Sequence, residues 1–113
     1  MAERVGLVVP NLFLRVPVEH AVRAAGAEAV PLEGLDAASG HGCRVVIVDL
    51  DAAGPDAAAA VRRLTARDVT VLAFGPHVDA ARLAAVRQAG AVALPRSAFL
   101  PRLPELLKAA LAV

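Results

Sequence analysis

The chain has no tryptophan, no tyrosine and only three phenylalanines, so aromatics make up 3% of its 113 residues. Hydrophobic residues nevertheless reach 58%, much of it alanine. Bulk in the core must come from aliphatic side chains and from alanine-rich helices packed closely on a sheet. There is one cysteine, Cys43, which excludes an internal disulfide. Its place at the head of an apolar run suits a small buried filler. Charge of one sign is not in excess: twelve basic and eleven acidic residues leave a formal charge of +1. Binding driven by phosphate neutralisation wants a basic stripe, so nucleic acid is not expected as a partner. Arg62, Arg63 and Arg67 are the nearest thing to a cluster and read as the solvated face of a helix. No apolar run reaches the roughly 18 residues of a membrane span. The first residues lack a basic flank followed by an apolar stretch, so no signal peptide is read and a cytoplasmic location is expected.

Motifs are missing as well. His20, His41 and His77 are widely spaced and form no paired metal signature, so no metal or other cofactor is expected. No Gly-x-Ser-x-Gly elbow supports a hydrolase. No Gly-x-Gly-x-x-Gly follows the first apolar run, and there is no P-loop. The Asp-x-His-x-x-Gly of a cobalamin module is missing too. No catalytic residue, and hence no enzyme, is read from this pattern.

What is present is a regular alternation of strand-like and helix-like segments. Residues 5–9 read as a buried strand, after which Asn11 can cap a helix that runs to about residue 25. Pro17 requires either a helix whose regular part begins near Val16 or a kink. Gly26 suits the left-handed position that closes a helix. Residues 28–31 form a short strand, with Pro31 fitting an edge. Residues 32–42 read mainly as a glycine-rich loop, with one helical turn at 35–39 as the alternative. Further strands fall at 44–48, 69–74 and 91–94. Helices are expected from Pro55, in a first helical position, to about 67, then over 78–89 and 102–111. The stiff segment 95–102, with Pro95 and Pro101, reads as turn and loop begun by Ser97. Strands joined through helices demand parallel pairing with right-handed crossovers. The fold class is therefore α/β: one domain over residues 1–113, a flavodoxin-like three-layer sandwich on a five-stranded parallel sheet of order 2-1-3-4-5.

In that arrangement one residue stands out. The β-branched run Val45-Val46-Ile47-Val48 stops at Asp49, with Asp51 two residues on. A strand buried on both faces then delivers a carboxylate to the carboxyl rim of the sheet, where α/β proteins gather their ligands.

Asp49 after this run, the segment Gly90-Ala91-Val92-Ala93-Leu94, and Arg96 beyond it make the chain resemble a response-regulator receiver domain over nearly its whole length. The resemblance implies a phosphoacceptor at Asp49. It also implies an acid pair after the first strand, a hydroxyl after the fourth and a lysine after the fifth. Here those positions hold Pro10-Asn11, Phe74-Gly75 and Arg96, with Pro95 before the arginine rather than a proline after it. Phosphoryl transfer needs a cation on the transferring oxygens, and Mg²⁺ wants carboxylate and water ligands. Proline offers no side-chain oxygen and asparagine only a neutral one. The expectation is a degenerate receiver-like signalling or protein-interaction module, acting alone, that is not efficiently phosphorylated. The alternatives are a phosphoacceptor receiver using Asp49 and a small-ligand binder at the carboxyl rim.

Candidate rim residues beside Asp49 are Asn11, Asp51, Gly75, His77, Arg96 and Ser97. Arg96 is expected to pair with Asp49 or Asp51, the alternative being that it points into solvent. His77 is either a binding or acid–base group or a residue of the next helix start packed on Pro76. By resemblance, Arg82, Arg87, Phe99, Leu100 and Arg102 are candidates for a docking face toward a protein partner, a second copy of the chain included. Phe99 and Leu100 can equally cover the edge of the sheet.

Overall fold

The computed structural model describes residues 2–76 and 78–112. Its sheet has five parallel strands in the order β2-β1-β3-β4-β5, as the alternation demanded. These are β1 (Arg4–Val8), β2 (Glu28–Pro31), β3 (Val45–Asp49), β4 (Thr70–Gly75) and β5 (Val92–Pro95). Helices α1 (Leu12–Ala24) and α4 (Arg96–Leu111) cover one face, and α2 (Ala57–Thr65) and α3 (Ala80–Gln88) the other. Short 3₁₀ segments at Leu35–His41 and Leu50–Ala52 complete the crossovers.

The two faces differ in what fills them. Under α1 and α4, Val5, Leu7, Ile47, Leu72 and Phe74 pack against Val18, Val22, Phe99, Leu103 and Leu107. Under α2 and α3, Val46, Val48, Val71, Ala73 and Ala93 meet Ala57, Ala60, Val61, Leu64, Leu83 and Val86. The alternation of side chains along each strand sends successive residues to opposite layers. All five residues of β3 are buried, so the strand is apolar throughout until Asp49. Cys43, just before β3, is buried, and burial raises its thiol pKa.

Several boundaries differ from the sequence reading for physical reasons. The expected loop at 32–42 is mostly a 3₁₀ helix over Leu35–His41, anchored by buried Leu35 and Ala38. α1 begins at Leu12 and runs through Pro17. The carbonyl that loses a partner to this proline belongs to Phe13, which is exposed to water. Pro55 lies ahead of α2 rather than in its first turn, since the helix starts at Ala57. α3 starts at Ala80, with the Asp79 side chain accepting the Arg82 backbone N–H.

The largest correction is α4. It starts at Arg96, so the segment around Pro95 and Ser97 is a strand end leading directly into a helix, not a loop. Buried Phe99, Leu103 and Leu107, spaced four apart, draw the segment onto the sheet. Pro101 and Pro104 both sit on the exposed side, where water satisfies the carbonyls they leave unbonded. Both helix stops need glycine's freedom: Gly26 at φ 84° ends α1, and Gly90 at φ 113° ends α3 with Thr65 close behind it.

Candidate functional site

The carboxyl ends of β1, β3, β4 and β5 meet at one rim. β3 ends at Asp49, which is 5% exposed. Its Oδ1 accepts the backbone N–H of Asp51 at 3.0 Å, closing a tight turn into the 3₁₀ segment. The neighbouring β1 ends in a parallel way. Asn11 Oδ1 accepts the backbone N–H of Phe13 at 2.9 Å and caps α1.

Burial is the main influence on Asp49 and pushes its carboxyl above the ordinary carboxylate range. The N–H of Asp51 opposes this, the Asp51 charge adds to it, and the Arg96 and Arg82 charges weakly oppose it.

Asp51 is half exposed and meets two arginines. Arg82 Nη1 lies 3.4 Å from Oδ1, and Arg96 Nη2 lies 3.5 Å from Oδ2. Of the sequence-stated options for Arg96, pairing with Asp51 is the one observed. The Arg96 guanidinium also stands 5.9 Å from the centre of the Phe74 ring. Phe74 in turn packs on Phe99 at 4.9 Å between centroids. The Nε of Arg96 is buried and finds no hydrogen-bond partner among the described residues. Arg82 makes three further contacts. Its Nη1 donates to the Leu50 carbonyl at 3.0 Å, its Nε lies 3.1 Å from Asp79 Oδ2, and its backbone N–H is capped by Asp79.

An open cleft of about 450 Å³ lies over this turn, lined by Pro10, Asn11, Phe13, Leu14, Asp49, Asp51, Ala52 and Arg96. Of the candidate rim residues, Asn11, Asp49, Asp51 and Arg96 line this one cleft. Gly75 and Ser97 are not in it. Gly75 is buried, with the Leu50 side chain against the place where a Cβ would stand. Ser97 lines a separate groove with Pro76, Pro95, Leu100 and Pro101. His77 lies outside the described residues. Among the described residues, no group of three or more His, Cys, Asp or Glu side chains is placed to hold a metal ion.

The docking candidates separate in the same way. Phe99 is fully buried against Phe74 and offers no surface to a partner, which corrects that expectation. Arg82 is engaged at the rim, and Arg87 Nε donates to the Ala93 carbonyl at 2.8 Å, tying α3 to β5. Leu100 is half-buried and Arg102 exposed on α4. Arg82 was legible as a charge on a helix but not as a rim residue, because its reach to Leu50 and Asp51 crosses from α3 to the end of β3. Its proximity to Asp79, three residues earlier, was the one local signal.

No protein-family model matches the chain, and no curated protein does. Solved structures do. A response regulator from Thermotoga maritima superposes with a TM-score of 0.78 at 20% identity, each chain fully covered. HP1043, an orphan response regulator of H. pylori, gives 0.75 at 19% identity, with 96% of each chain covered. The BeF3-activated receiver domain of DrrB gives 0.76 at 15% identity, with both chains fully covered. The chain has the receiver fold. At such identities the likeness is one of fold, and the chemistry of the rim rests on its own side chains. No helix among the described residues is long and apolar enough to cross a membrane.

Proposed function

We propose that this chain is a receiver-like signalling module that works through protein contacts and is not efficiently phosphorylated at Asp49. One observation carries the reading: the side-chain oxygens around Asp49 are already engaged. Asn11 Oδ1 is used by the backbone of α1. Both Asp51 oxygens face arginines. Asp49 Oδ1 is used by the backbone of Asp51. A hard divalent ion needs several oxygens in near-octahedral array, and its hydration is costly to strip. A lone buried carboxylate beside a neutral amide and a paired carboxylate supplies too little. The position of the fourth-strand hydroxyl is filled by Phe74 and Gly75, with Leu50 packed against the glycine.

In this reading the module is non-catalytic, and its partner docks on an accessible part of α4 that includes Leu100 and Arg102. A second copy of the chain is the simplest candidate partner. Light scattering of the wild type beside Leu100→Glu and Arg102→Glu tests that: a dimer that both variants split supports it, and a monomer at all concentrations opposes it.

The position of Asp49 at the end of β3 favours a second reading, a phosphoacceptor with unusual metal ligands. Incubation with acetyl phosphate or beryllofluoride and Mg²⁺ separates the two. Mass spectrometry or NMR at Asp49 is expected to register no stable adduct.

A further inference from the structure

We infer that Asp51 is a two-armed latch: its carboxylate ties the start of α3, through Arg82, and the start of α4, through Arg96, to the end of β3. The inference rests on the proposed module only in assuming that the α4 surface is the one a partner reads.

The geometry supports it from three sides. First, the anion is fixed before it pairs. The Asp51 backbone N–H is held by buried Asp49, so the main chain that carries the carboxylate stands in a defined place at the rim. Second, the arms come from two different helices. Arg82 lies in the first turn of α3, and Arg96 is the first residue of α4. Each reaches a different oxygen of the same carboxylate, at 3.4 and 3.5 Å. Third, each arm is seated on something other than Asp51. Arg82 is oriented by Asp79 and by the Leu50 carbonyl. Arg96 stands over Phe74, whose ring is packed on Phe99 of the same helix. A guanidinium aimed by a second contact loses less freedom when it pairs, so the pair holds its geometry better than a free surface salt bridge.

The consequence is mechanical. Asp49, through the turn it caps, sets where Asp51 stands, and Asp51 sets where two helices begin. Any change that disturbs the Asp49 turn is passed to α3 and α4 together. Asp51 is the positioning residue for both, and no ligand is required to hold them.

Hydrogen exchange on this chain tests the latch, read at the Leu83 amide, which bonds to Asp79 O, and at the Leu100 amide in the first turns of α4. Arg82→Gln is expected to speed exchange at Leu83 alone, and Arg96→Gln at Leu100 alone. Asp51→Asn is expected to speed both, on the order of threefold to fivefold, the range that partly exposed pairs support. Wild-type protein at about 1 M salt should move toward the Asp51→Asn pattern, since these pairs are open to screening. Asp51→Asn is at an exposed position and keeps the backbone turn, so it is expected to fold. If it leaves either amide unchanged, the two-armed latch is wrong. This readout involves neither phosphate nor partner, so it can fail while the proposed function stands, and the reverse.

Discussion

Two neighbouring strand ends solve the same local problem with different residues. After β1, Asn11 accepts the N–H two residues on at 2.9 Å; after β3, Asp49 does the same at 3.0 Å. The first turn is neutral and exposed. The second is acidic and buried, so burial works against its charge. Their surroundings differ in the same sense. Phe13, beside the first turn, is 92% exposed, while Phe74 and Phe99, behind the second, are fully buried. Identical backbone capping thus leaves one turn as a simple helix start and makes the other a charged junction. What a rim carboxylate can do depends less on its strand position than on what shares its oxygens.

The contrast is tested most severely by its phenylalanines. Phe99→Ala removes a fully buried ring and is expected to cost about 3–5 kcal/mol in urea or thermal unfolding. Phe13→Ala, beside the open turn, is expected to stay within about 0.5 kcal/mol. Comparable losses at both would mean that the β1 turn is packed in solution as firmly as the β3 turn.

The caps come next. Asn11→Ala is expected to cost about 1 kcal/mol, the usual loss for an N-cap side chain. Asp49→Asn keeps an acceptor for the Asp51 N–H and deletes the buried charge, so at pH 7 it is expected to be as stable as wild type or more so. The pH dependence has a definite sign. The folded pKa of Asp49 is raised, so over the window from about pH 4 upward the folded state binds more protons than the unfolded one. Stability of the wild type relative to Asp49→Asn therefore falls as pH rises through that window, until Asp49 is ionised in the fold. A relative stability that rises with pH there would show that the carboxylate is stabilised where it stands.

The sheet was legible because its strands are short apolar segments bounded by glycine, proline or aspartate, and the alternation with helical segments left few topologies. Asp49 was legible for the same reason, as an acid after an apolar run. α4 was missed at its start because Pro95, Ser97 and Pro101 read as a stiff turn ahead of a helix beginning near Arg102, although the spacing of Phe99, Leu103 and Leu107 already spelled a helix with its prolines turned to water. The role of Asp51 was only half legible. That an arginine after β5 would seek an acid at the rim followed from charge alone. That a second arginine, Arg82, would arrive from α3 depended on how two crossovers stack side by side, which no local pattern encodes.

The central claim is that Asp49 lacks the neighbouring oxygens that would let it accept a phosphoryl group. It is tested most directly by NMR of the labelled chain titrated with Mg²⁺ and beryllofluoride. The account predicts no saturable shift at Asp49, Asp51 or the first turns of α3 and α4. A saturable, Mg²⁺-dependent shift centred on Asp49 would contradict it.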